Sequence, residues 1–217
     1  MSLPFVALSL TTTGPDPRRD RVNAVATVAV DAGGERTRFD AAVRTIAAAA
    51  ECPHPALVVA EDQLLEADWP EIAAKLRVLL ANARVVTHDA DRSLAVLAAE
   101  GVRLDEAPLD TAELASILVP GLASTDLDTL ADALGVSSGG SGSQRNAADA
   151  LADVFEALQA RIAAYDDVTL ERLATHVSEG GWQFADLFEP RTAARFRTSA
   201  EPRHLRAKSV GGEAPAR

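Results

Sequence analysis

Three strand-length apolar segments lie within the first 43 residues, and only turn chemistry separates them. Pro4 to Leu10 is an apolar run with the length of a buried strand, and Val22 to Val30 is rich in β-branched residues. Gly14-Pro15-Asp16-Pro17 joins them as a turn, and Asp31-Ala32-Gly33-Gly34 leads into a third strand over Arg36 to Val43. Links this short connect antiparallel neighbours, so a hairpin-built sheet opens the chain.

The pattern then changes period. Trp69-Pro70-Glu71 starts a helix with Pro in its first turn, and Ile72, Leu76, Leu79 and Leu80 mark one face of it. Arg84-Val85-Val86-Thr87 reads as a short strand, Ser93 to Ala99 as a helix closed by Gly101. Asp110-Thr111 begins another helix, and Ser124-Thr125-Asp126 caps one that runs through Leu134. Residues 137–143 are Ser and Gly only, a composition that predicts a mobile connection. A long helix follows from Asn146 to about Ala164, with Leu151, Val154, Phe155 and Leu158 on its apolar face. A further helix over Thr169 to Val177 precedes Trp182, Phe184, Leu187 and Phe188, which are spaced to pack back on the body. Strands first, then strands and helices interleaved, predict an α/β fold: a mixed sheet flanked by helices, with a small helical C-terminal extension. The expected division is 1–165 for the main domain, 166–197 for the extension and 198–217 for a disordered basic tail. There is no internal repeat.

Charge separates along the chain. Residues 191–217 carry seven basic and two acidic side chains, leaving 14 basic and 30 acidic over the rest. An acidic body opposes non-specific attraction to phosphate backbones, whereas the tail either attracts them locally or is simply solvated. No apolar run approaches the roughly 20 residues that span a bilayer, and no basic stretch leads into an apolar core at the N-terminus. Cys52 is the single cysteine, so no intrachain disulfide forms. These features together predict a cytoplasmic protein with no membrane partner.

The chemistry concentrates in three segments. The first strand runs through Ser9 and Thr11 into Thr12-Thr13-Gly14. The second segment is Val85-Val86-Thr87-His88-Asp89-Ala90-Asp91-Arg92-Ser93-Leu94. The third is Gln144-Arg145-Asn146-Ala147-Ala148-Asp149. Their order, spacing and flanking apolar pattern resemble the DEDDh-type 3′–5′ exonucleases, the DnaQ-like family of the proofreading epsilon subunit of bacterial DNA polymerase III. The resemblance spans roughly residues 4 to 160. It implies a ribonuclease H-like fold and a setting in DNA repair or replication. In that family the first motif has an Asp and a Glu where Ser9 and Thr11 stand. The second has its metal-binding Asp at Ser93, and the third its His at Gln144. Asp149 matches the retained carboxylate. Four of the five functional positions are therefore replaced by neutral polar residues.

The substitutions bear directly on the reaction. Two-metal phosphodiester hydrolysis holds two dications about 3.5–4 Å apart, and hard cations take anionic oxygen ligands. Residues two apart on a strand share a face, which is why the family needs its first two acids at that spacing. Hydroxyls at Ser9, Thr11 and Ser93 leave only Asp149, and Gln144 cannot take a proton from water as a His does. The resemblance with these replacements implies a vestigial site of Ser9, Thr11, Ser93, Gln144 and Asp149, with no cofactor. Thr12, Thr13, Arg92 and Arg145 are the candidate substrate contacts. The competing reading is an active nuclease using Mg²⁺ or Mn²⁺ with migrated ligands such as Asp89 and Asp91.

Each of these residues also has a structural reading. Thr12, Thr13 and Gly14 suit a turn, and His88 suits a hydrogen-bonded core position. Asp149 near a helix start suits the helix dipole. Arg18, Arg19 and Arg21 suit a solvated hairpin, and Trp69 and Trp182 suit packing. Two partner classes follow: the end of a single-stranded nucleic acid, bound weakly, or a protein for which the fold is a scaffold.

Overall fold

The computed structural model describes residues 3–14, 16, 19–44, 65–136 and 144–189. The tail after residue 190, the Ser/Gly connection, Cys52, Arg18 and the side chains of Gln144 and Arg145 lie outside the described residues.

The three opening segments form strands β1 (Phe5–Thr12), β2 (Val22–Val30) and β3 (Arg36–Val43), paired antiparallel in succession. Three short strands complete a six-stranded mixed sheet in the order β4-β3-β2-β1-β5-β6. They are β4 (Leu65–Ala67), β5 (Val85–Thr87) and β6 (Leu109–Asp110), and each lies parallel to its neighbour on the inner side.

Alternation along the strands gives each face of the sheet its own core. Phe5, Ala7, Ala26, Val28 and Val30 face one way and pack under α3 (Thr111–Leu118), α4 (Leu127–Leu134) and α5 (Gln144–Ala163). Val6, Leu8, Val25 and Ala41 face the other way, under α1 (Trp69–Leu80) and α2 (Ala90–Ala99). The central α5, about 30 Å long at the usual helical rise, packs on β1 and β2. Phe155 meets Phe5 edge-on at 4.7 Å between ring centres.

The C-terminal elements join the α5 side. Leu170 of α6 (Asp167–Glu179) and Leu187 and Phe188 of the 3₁₀ turn Ala185–Phe188 are buried in the same cluster as Phe155. Trp182 lies against Phe184 and Phe188, and its indole N–H donates to Glu113 at 3.0 Å.

α5 and α6 start two residues earlier than expected, and the start of α2 departs furthest from its sequence-based expectation. α2 begins at Ala90, three residues before Ser93. Asp89 caps it in a left-handed conformation (φ 66°), its carboxylate accepting the Arg92 N–H. Asp tolerates that backbone region better than most residues. The early start brings Arg92 into the first turn together with Ser93. Gly101, just past this helix, takes φ 76°, the left-handed stop its sequence position predicts.

Candidate functional site

A cleft of about 280 Å³ opens where the carboxyl ends of the parallel strands β1 and β5 meet the starts of α2, α4 and α5. That is where open α/β sheets usually place ligands. Ser9, Thr12, His88, Asp89, Arg92 and Ser93 line it with Thr87, Ala147 and Leu151. Residues from all three sequence segments therefore converge on one place. Larger cavities around Arg84, at the far end of the sheet, contain none of them.

β1 brings Ser9 and Thr12 to the cleft; Thr11 is not among the lining residues. The pairing of β1 with β2 is regular from Ser9 to Thr11 and shifts only between Thr11 and Thr12, so the irregularity re-aims Thr12 and leaves Thr11 in alternation with Ser9. Thr13 closes the hairpin instead. Its N–H donates to the Arg21 carbonyl, and its hydroxyl accepts from the Arg21 N–H at 3.1 Å and donates to Asp20 at 3.3 Å. The Thr12 hydroxyl donates to the Gly14 carbonyl at 2.7 Å and accepts from Arg92 Nη2 at 2.8 Å. The same Arg92 nitrogen reaches the Gly14 carbonyl at 3.2 Å. Arg92 thus ties the end of the first strand to the first turn of α2 while remaining exposed to the cleft.

The floor is a hydroxyl network. Ser93 Oγ lies 3.0 Å from Thr87 Oγ1, and His88 Nδ1 lies 2.9 Å from Thr111 Oγ1. Asp110, nearly buried, bridges two helix starts: one carboxylate oxygen accepts from the Ala112 N–H at 2.7 Å and the other from the Ala90 N–H at 2.8 Å. It is therefore engaged with backbone.

Asp149 is not among the residues that line the cleft. It sits on the side of α5 facing β3, where Arg38 holds it with two nitrogens, Nε at 2.9 Å and Nη2 at 2.6 Å. These hydrogen bonds, with the charge of Asp149, raise the Arg38 pKa further above its ordinary value. Arg36 repeats the arrangement along the same helix face, paired with Asp153 at 2.6 Å and with Glu156. Asp89 is on the cleft but engaged as the α2 cap; Asp91 is exposed and outside it. Among the described residues no three His, Cys, Asp or Glu side chains gather as a metal site requires. Hydroxyls at Ser9 and Ser93 and an arginine-bound Asp149 do not fit a pair of hard dications. Arg38 is the participant that sequence reasoning missed; strand spacing alone gives no sign of it.

The fold can be compared with known structures. It is similar to E. coli exonuclease I in complex with a dA16 oligonucleotide, with a TM-score of 0.53 and 14% identity over 74% of this chain and 41% of that one. It is similar to the ExoI/SSB-Ct complex at 0.52 and 16%, over 74% and 42%. A moderately thermophilic exonuclease I from Methylocaldum szegediense gives 0.51 and 15%, over 74% and 41%. This chain shares its fold with exonuclease I. The mixed sheet with flanking helices is of the ribonuclease H-like kind. The chain spans less than half the length of these exonuclease I chains. No family model matches the chain, and no curated protein matches it by sequence. No helix of the described residues is long and apolar enough to cross a membrane.

Proposed function

We propose that this chain is a catalytically silent form of the 3′–5′ exonuclease fold. It keeps the substrate cleft and has lost the metal pair. The reading is carried by one observation: the single carboxylate left at a metal-binding position, Asp149, is held bidentately by Arg38. A guanidinium offers a carboxylate the two-point contact and positive charge that a cation would otherwise supply. The other three positions described, Ser9, Thr11 and Ser93, offer neutral oxygens, and a carboxamide at Gln144 supplies no general base.

The cleft's chemistry suits recognition rather than hydrolysis. Arg92 and the hydroxyls of Thr12, Ser9 and Ser93 can meet a phosphate, with Arg145 as a further candidate from α5. Two of the exonuclease I structures similar in fold hold an oligonucleotide, and the end of a single strand is the ligand proposed here. A role as a protein-docking scaffold is the alternative use of the same silent fold.

The test is incubation of purified protein with a labelled single-stranded oligonucleotide and Mg²⁺ or Mn²⁺. The expected result is an unshortened strand. Shortening that Asp149→Ala abolishes would overturn the proposal and restore an active nuclease. A gel shift at low salt separates the two silent readings, since a pure scaffold leaves the strand unshifted.

A further inference from the structure

Three cavities of about 380, 380 and 600 Å³ adjoin one another at the end of the sheet opposite the cleft. Ala83 and Arg84, at the entry to β5, line all three. Leu3, Leu80 and Leu104 give the first an apolar wall, and Phe184 lines the largest. Charge around this groove is one-sided. Among the described lining residues, Asp31, Glu35, Asp105, Glu106 and Asp186 face a single cation, Arg84.

Two of these carboxylates are engaged. Asp186 pairs with Arg84, and Asp31 accepts the N–H groups of Gly33 and Glu35 at 2.7 and 2.9 Å. The side chains of Glu35, Asp105 and Glu106 have no partner among the described residues. Arg84 gives Nη2 to Asp186, while its buried Nη1 has no acceptor among the described residues. An apolar groove with free carboxylates at its rim and an unmet donor at its base repels a phosphate backbone. It fits a chain that brings cations, an apolar side chain and backbone carbonyls.

Such a chain starts at the groove itself. Gln183, Phe184 and Asp186 line the largest cavity, and Glu189, three residues further on, is the last described residue and has extended backbone. The sequence continues Pro190-Arg191-Thr192-Ala193-Ala194-Arg195-Phe196-Arg197, which holds three cations, one aromatic ring and no acid. At about 3.5 Å per residue, Arg191 falls within about 7 Å of Glu189 and Arg197 within about 28 Å, enough chain to cross cavities of this size.

We propose that residues 190–197 of this chain dock in this groove. Phe196 packs on the wall of Leu3, Leu80 and Leu104, and the three arginines pair with Glu35, Asp105 and Glu106. Backbone carbonyls of the segment supply the acceptor that Arg84 lacks. The docking is independent of whether the cleft is silent, and it keeps these cations at the far end of the sheet from any strand bound there.

The test uses the full-length chain with Cys52→Ser and Ser199→Cys, and a nitroxide on the single thiol. Amide signals of the ¹⁵N-labelled protein are compared with the nitroxide active and reduced, at low salt. Ala83, Leu104, Asp105 and Glu106 should lose most of their intensity, and Ser9 and Ser93 little. Asp105→Lys with Glu106→Lys should restore the first set, and added salt should restore it in part. Tethering alone broadens the groove whatever its charge, so broadening that survives the charge reversal overturns the proposal. Groove amides no more broadened than those of the cleft overturn it too. So does broadening passed equally from labelled ¹⁴N chains to nitroxide-free ¹⁵N chains in a mixture, which puts the segment on a second copy. Arg195→Glu with Arg197→Glu alters no groove residue and should release the contact equally, so the result stands whether or not the lysine variant folds.

Discussion

Neutralising Asp149 has opposite effects on stability under the two accounts of this cleft. In an acid-lined metal site without its ions, carboxylates repel; two unit charges 4 Å apart interact by about 4 kcal/mol at an effective dielectric near 20. Removing one charge there stabilises the protein. Here Asp149 faces Arg38, with side chains 25% and 47% exposed respectively. Exposed ion pairs contribute about 0.2–1 kcal/mol, and hydrogen bonds to charged groups about 1.5–3 kcal/mol. A half-exposed bidentate pair falls between these, and Asn retains one acceptor. Asp149→Asn is therefore expected to cost about 1 kcal/mol, or roughly 2–4 °C in melting temperature for a chain of this size. Thermal and urea melts of Asp149→Asn, Arg38→Met and the double variant measure the coupling directly; it should be about 1 kcal/mol and favourable. Neither the wild type nor Asp149→Asn should gain stability from millimolar Mg²⁺. An Asp149→Asn protein that melts above wild type would refute the reasoning. A wild type that Mg²⁺ stabilises through Asp149 would do the same.

Other expectations follow from particular contacts. Asp110→Ala removes the acceptor for two helix-starting N–H groups from a nearly buried position, and should cost about 2–3 kcal/mol in chemical denaturation. Asp126, held by the Ser124 hydroxyl and by the Thr129 N–H and hydroxyl, has its pKa lowered to about 2. A depressed acid stabilises the fold above the ordinary carboxylate range and loses that contribution as pH falls toward its folded value. A carboxylate NMR titration should therefore find Asp126 ionised where exposed acids are already protonated, and Asp126→Asn should flatten acid unfolding in that window. Restoring acids with Ser9→Asp and Ser93→Asp should not create Mn²⁺ affinity, by calorimetry, while Arg38 holds Asp149; adding Arg38→Met should raise it.

The hairpin strands were legible because alternation and turn residues act locally. The helices α1 and α5 were legible for the same reason, through apolar residues recurring on one face. β4 and β6 are three and two residues long and carry no period of their own. They exist as strands through pairing with Ala41–Val43 and with β5. The start of α2 was misplaced by three residues because Ser93 looked like its opening, whereas Asp89 already serves as the cap. The convergence of Ser9, Arg92 and Ser93 followed from the order of the motifs. The fate of Asp149 did not. Arg38 lies 111 residues away, and only the β2–β3 register, which sets Arg38 opposite Val28 on the α5 side of the sheet, brings them together.

The central claim is that this cleft cannot assemble two dications, and anomalous scattering from crystals soaked in Mn²⁺ tests it most directly. The account predicts no manganese peak between Ser9, Ser93 and Asp149, with the Arg38–Asp149 contact intact. A pair of strong peaks there, with Asp149 swung away from Arg38 to bind them, would contradict it.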